Sequence, residues 1–227
     1  MNTKLQIIIG FILFFYSSAE AQKTNTVPKQ WTYEMYKSVS YKNFRSNPLF
    51  NQKFVSSNAD IPLLNAALFF MVNEQRAKAG RDLVKYHPAC EIAAYNHSKS
   101  MVESDFFSHT NNKNRNRETT EKRGKLAGIS NPSFAENIAY NYPPSDATYL
   151  TVAELLIKQW MNSSGHKANI LSDQALQAGC GAYANGNTVY ATQVFQWFSF
   201  VKIDKATDSL PMYKDKSEPK VNLSDYK

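Results

Sequence analysis

Three titratable side chains lie in unusual company in this sequence. His109 closes the run Phe106-Phe107-Ser108-His109, Glu136 sits inside the apolar stretch Phe134-Ala135-Glu136-Asn137-Ile138, and His166 follows Ser163-Ser164-Gly165. A carboxylate in an apolar segment is costly unless it is paired or bound to a cation. Two imidazoles offer that pairing. Two histidines and one carboxylate are also a sufficient set for a divalent metal with open coordination positions, zinc being the expected ion. The same residues allow hydrolysis. Ser108, Ser163 or Ser164 would be the nucleophile, His109 or His166 its base, and Glu136 the group that orients the imidazole. Glu136 as general base to a metal-activated water is the other route. Neither a GxSxG elbow nor an HExxH helix is present to support an established hydrolase architecture. Positions 109, 136 and 166 are too far apart for spacing to show that they converge. The plainer alternative makes each histidine a hydrogen-bonded surface residue and Glu136 a strand end. His87, beside Pro88, and His97, within a helical pattern, read as structural.

The elements that must position these residues begin at Asp60. Asp60 can cap a helix with Pro62 in its first turn; Leu64, Leu68, Met71 and Val72 follow at helical spacing until Gly80. A second helix runs from about Pro88 to Glu103 with Ile92, Ala93, His97 and Met101 along one stripe. A third runs from about Asp146 to Met161, and the small polar run after Trp160 reads as a helix-to-loop turn that delivers Ser163, Ser164 and His166. The period then changes: residues 178–184 and 188–201 around Asn185-Gly186-Asn187 read as a β-hairpin. Helices followed by an antiparallel hairpin indicate an α+β layer fold. Residues 22–60 form an aromatic N-terminal extension, part of which is expected to pack on the domain at 61–201. Residues 202–227 are charged and read as a disordered tail.

Residues 1–21 have the form of a secretory signal peptide: Lys4, an apolar run from Leu5 to Tyr16, and Ala19-Glu20-Ala21. The expected location is therefore extracellular or periplasmic, with no stable membrane span in the mature chain. The net charge of +7 permits weak attraction to anionic surfaces without specifying one. The basic run at 113–125 has no interleaved aromatics and reads as a solvated helix or loop, so no nucleic acid partner is expected. The chain has 2 cysteines, Cys90 and Cys180, which are a disulfide candidate in an oxidising compartment. Such a bridge would stabilise the fold by about 4–5 kcal/mol in the chain-entropy picture; the alternative is two buried thiols.

Six segments in order add a resemblance: NEQRAKAG (73–80), HSKSMVESDFFSH (97–109), AENIAY (135–140), WMNSSGHKANIL (160–171), GCGAY (179–183) and YATQVF (190–195). Together they resemble bacterial CAP-domain (SCP-like) proteins, the superfamily of cysteine-rich secretory proteins, antigen 5 and pathogenesis-related proteins of group 1. The resemblance implies a three-layer α-β-α sandwich with a central, mostly antiparallel sheet. It also implies a cleft with a His/Glu constellation that binds a divalent cation in some members. Carried over by motif, the first histidine is His109 and the first glutamate Glu136. The second glutamate falls on Ser163 and the second histidine on Tyr190, so half of the eukaryotic tetrad is missing. His166 is the candidate replacement, giving His109, Glu136 and His166 as the metal set. Asn137, Ser163, Ser164, Tyr190 and Gln193 are the expected cleft lining. Three functions follow: a secreted binding module for a small ligand, lipid, glycan or extracellular protein; a secreted peptidase-like hydrolase; or an interaction protein with a vestigial cleft.

Overall fold

The computed structural model describes residues 30–209. The signal-peptide reading and the tail reading beyond 209 fall outside the described residues. Among those described, no helix is long and apolar enough to cross a membrane.

Local chemistry sets the element ends. Helix α1 (Ile61–Lys78) starts where the Asp60 carboxylate accepts the Leu63 N–H at 3.0 Å, with Pro62 in the first turn, where a missing N–H costs nothing. It stops before Gly80, whose φ of 67° favours a residue without a Cβ. The short strand β1 (Lys85–Tyr86) leads into α2 (Pro88–Glu103), capped by His87, whose Nδ1 accepts the Ala89 N–H at 3.1 Å. Helix α3 (Thr120–Leu126) precedes strand β2 (Phe134–Asn141). Helix α4 (Tyr149–Met161) begins three residues later than its apolar pattern predicts, because Thr148 supplies the cap. The segment expected to be a turn after it is a further helix, α5 (Ser164–Leu171). Strands β3 (Ala175–Asn185) and β4 (Thr188–Trp197) form the hairpin, with Gly186 at positive φ in its two-residue loop.

The strand order is β1-β3-β4-β2, with β1 parallel to β3 and the other pairs antiparallel. Five helices cover this mixed sheet: α2 and α3 on one face, α1, α4 and α5 on the other. This is the α+β, α-β-α architecture expected. Alternation along β3 sets how closely α2 sits. Gly179 and Gly181 face that helix, and a Cβ on either would lie 2.1 Å from Glu91 N or 2.0 Å from Tyr95 N.

The same alternation corrects the disulfide expectation. Cys180, between those glycines, points into the α1/α4 core, whereas Cys90 belongs to the α2 cluster on the opposite face. Both are buried free thiols, and burial pushes both pKa values up.

The aromatic extension is part of the core. Trp31, Phe44, Leu49, Phe50 and Phe54 are buried with Phe69 and Phe70 of α1. The Trp31 ring lies 5.2 Å from Tyr36, 5.3 Å from Phe50 and 5.8 Å from Phe70. The start of the expected tail is tied down as well. Asp204 N–H donates to Gly128 O at 2.7 Å, and both terminal nitrogens of Arg117 reach Asp208 at 2.6 Å.

Candidate functional site

Strand β2 is the edge of the sheet, and its register decides what each residue faces. Glu136 pairs with Val194, which lies in the α2 cluster, so its side chain turns toward α2 and α3. Asn137 pairs with Gln193 and turns toward α5.

Glu136 is 9% exposed, and both of its oxygens are engaged. His109 Nδ1 donates to Oε1 at 2.9 Å, which fixes that nitrogen as the protonated one, since an ionised carboxylate only accepts. Arg123 of α3 donates to Oε2 at 2.6 Å and also holds the His109 carbonyl at 3.1 Å. His97 of α2 stands 3.8 Å from Oε1, with its Nε2 3.0 Å from the Ser108 carbonyl. Burial pushes the Glu136 carboxyl up, but the His109 hydrogen bond and the charges of Arg123 and His97 outweigh it, and the pKa falls below the usual range. For the fully enclosed His97, burial dominates and drives the pKa down to about 4. Its Nδ1 has no hydrogen-bond partner among the described residues.

On the other face a ladder of amides staples α5 to the sheet. Asn137 Nδ2 donates to Gln193 Oε1 at 3.0 Å and to the His166 carbonyl at 3.0 Å, while Asn169 Nδ2 donates to Asn137 Oδ1 at 2.9 Å. The His166 ring is half-buried. Its pKa is lowered, first by burial and then by the charge of His109. A cleft of about 290 Å³ runs along β2 beside His166. Its floor is Ile138 to Tyr140, and its walls are Phe107 on one side and Gln159, Trp160, Ser163 and His166 on the other. Tyr190 stacks on Tyr140 at 5.5 Å, and Phe107 meets Tyr140 edge-on at 4.9 Å, so Tyr190 belongs to an aromatic rim. Ser164 is exposed at the start of α5.

His109 and Glu136 therefore meet, and His166 lies on the other face of β2, tied to it through its carbonyl and Asn137, without a hydrogen bond to either among the described contacts. Two members of the cluster escaped the sequence reading. Arg123 lay in a basic run read as solvated, yet it is 1% exposed; nothing in the charge pattern of 113–125 singles it out. His97, read as structural, closes the cluster from α2.

Tested against a divalent ion, this arrangement does not fit. The carboxylate that would ligate already faces a guanidinium at 2.6 Å. Among the described residues no group of three His, Cys, Asp or Glu is disposed to hold a metal. For a serine nucleophile, the Ser108 hydroxyl accepts from Thr110 N–H at 3.1 Å, and among the described residues no hydroxyl of Ser108, Ser163 or Ser164 bonds an imidazole; only the Ser108 carbonyl does, to His97.

Comparison with known proteins matches residues 69–199 to the family described as CAP, cysteine-rich secretory protein family. A protein of Bacillus subtilis described as the uncharacterized membrane protein YlbC is 27% identical over 125 residues, covering 55% of this chain and 32% of its own length. The chain thus spans about a third of that curated relative. An extracellular protein containing an SCP domain from Bacillus anthracis aligns over 60% of this chain and 40% of its own, with 23% identity and a TM-score of 0.47. NaASP2, crystallised with Zn2+, aligns over 63% of this chain and 86% of its own, with 14% identity and a TM-score of 0.43.

Proposed function

The chain belongs to the cysteine-rich secretory protein (CAP) family, and from that premise we propose that it is an exported binding module whose cleft along β2 takes its ligand without a resident metal. The observation that carries this reading is the internal charge balance of Glu136. Arg123 neutralises the buried carboxylate, His109 hydrogen-bonds it, and the open cleft beside them is left apolar and aromatic with one imidazole on its wall. In this reading Arg123 occupies the Glu136 oxygen that a bound cation would need. His109 and Glu136 belong to the ionic cluster next to the cleft, His166 and Ser163 form its α5 wall, and Asn137 and Gln193 are the posts that hold the wall in place. Export is supported by the signal-peptide pattern at 1–21.

Two measurements test it. Zinc titration of the protein beside a His109→Ala/His166→Ala variant is expected to give no stoichiometric site that the variant loses; such a site would overturn the metal-free reading. An NMR fragment screen is expected to move resonances of Tyr140, Gln159 and His166 together. Hits scattered over the surface would overturn the cleft as a binding site.

A further inference from the structure

The hydrogen bonds of β2 reveal what its outer edge offers. Trp197 N–H donates to Ser133 O at 2.8 Å, so 133 and 197 form a hydrogen-bonded pair of the antiparallel ladder. By alternation, 135, 137, 139 and 141 turn their N–H and C=O groups to β4, and 134, 136, 138 and 140 turn theirs outward. The Glu136 carbonyl agrees with this phase, because Asn169 of α5 reaches it from outside the sheet. Beyond Glu136 the outward groups of Ile138 and Tyr140 have no partner among the described residues, and they form the floor of the cleft. Edge strands with open main chain usually pair or are protected by charge, bulges or a covering element. Here the edge reaches the cleft at Tyr140, which is exposed, and at Ile138, which is 6% exposed at the cleft floor.

We propose that this cleft binds an extended polypeptide segment, which adds as a strand to the β2 edge at Ile138 and Tyr140 and presents an acidic side chain to His166 on the cleft wall. The proposal rests on the cleft being a binding site, and it names the class of ligand. Main-chain groups repeating every second residue match another strand and do not match the scattered hydroxyls of a sugar. The two walls match the two faces of such a strand. One set of alternate side chains meets Phe107 and Tyr140, and the other meets Ser163 and His166. Charge supports an acidic residue. The cleft lining contains no carboxylate, its one titratable side chain besides the Tyr140 phenol is the His166 imidazole, and the nearby Glu136 is already neutralised.

The test uses pooled heptapeptides, acetylated and amidated so that no terminal charge remains, with Asp fixed at the centre and β-branched residues at alternate positions. Binding is read from shifts and slowed hydrogen exchange of the Ile138 and Tyr140 amides. The expected result is protection of both amides, about tenfold weaker binding when Asn replaces the central Asp, and loss of binding when alternate peptide nitrogens are methylated. Binding that tolerates those methyl groups, or that leaves both amides unprotected, overturns strand addition. So does preferential occupation of the cleft by chitotetraose. If small fragments bind the cleft and no peptide does, the peptide proposal fails and the cleft reading stands; if neither binds, both fail.

Discussion

The guanidinium of Arg123 lies 2.6 Å from Glu136 Oε2, with the two side chains 1% and 4% exposed. A pair this enclosed contributes little net stability over an apolar pair, yet removing one partner leaves an uncompensated charge, at a cost of about 3–5 kcal/mol. Arg123→Gln is therefore expected to lower the unfolding free energy by that order in urea denaturation, and adding Glu136→Gln is expected to recover part of the loss. Additive losses in the double variant would show that the two residues are not coupled.

Acid is expected to weaken the fold in two stages. His97 has its pKa lowered to about 4, so between about 6.5 and that value the unfolded chain takes up a proton that the native protein refuses. Stability then falls with falling pH, by up to about 1.4 kcal/mol per pH unit for this group. His87, lowered to about 3 by burial, adds to the same slope. Glu136 acts lower. Its depressed pKa contributes stability that is present above the ordinary carboxylate value and lost as pH falls through the native one. Urea midpoints from about pH 7.5 down to about pH 3 measure both stages, and His97→Asn is expected to flatten the upper part of the curve by about one proton.

The aromatic extension is expected to behave as core. Trp31→Ala removes a ring that is 3% exposed and is expected to cost about 3–5 kcal/mol, visible as a lower thermal midpoint. A change within a few tenths of a kcal/mol, the ordinary scale for surface substitutions, would mean that the extension is not needed by the domain.

The cysteines are expected to stay reduced. Alkylation of the native protein should label neither Cys90 nor Cys180, alkylation in denaturant should label both, and reductant should leave the thermal midpoint unchanged. An intact mass without two alkyl groups after denaturing alkylation would establish a bridge instead.

Much of this fold is legible in the sequence because its signals are local. Asp60 with Pro62, and His87 with Pro88, mark the starts of α1 and α2 within a few residues, and Gly186 marks the hairpin. The candidate site is less legible because its partners come from different elements. His109 and Glu136 stand out by residue type, but Arg123 reaches Glu136 only once α3 has docked beneath β2, and local charge cannot report that. Helix α5 was hidden because Ser163, Ser164 and Gly165 are turn formers, and its hold on the sheet comes from Asn137 and Asn169 rather than from an apolar stripe. The cysteines misled for a related reason: their residue types suggest a bond, while the alternation of β3 sends them to opposite faces.

Gly179 and Gly181 act as a height gauge for the molecule. Without side chains of their own, they let α2 rest directly on the strand backbone, and α2 carries His97. The elevation of that helix thus sets how near an imidazole comes to Glu136, two strands away. A methyl group at either glycine would lift the helix and open the ionic cluster from above, changing the cleft's neighbour while every residue of the cleft kept its identity.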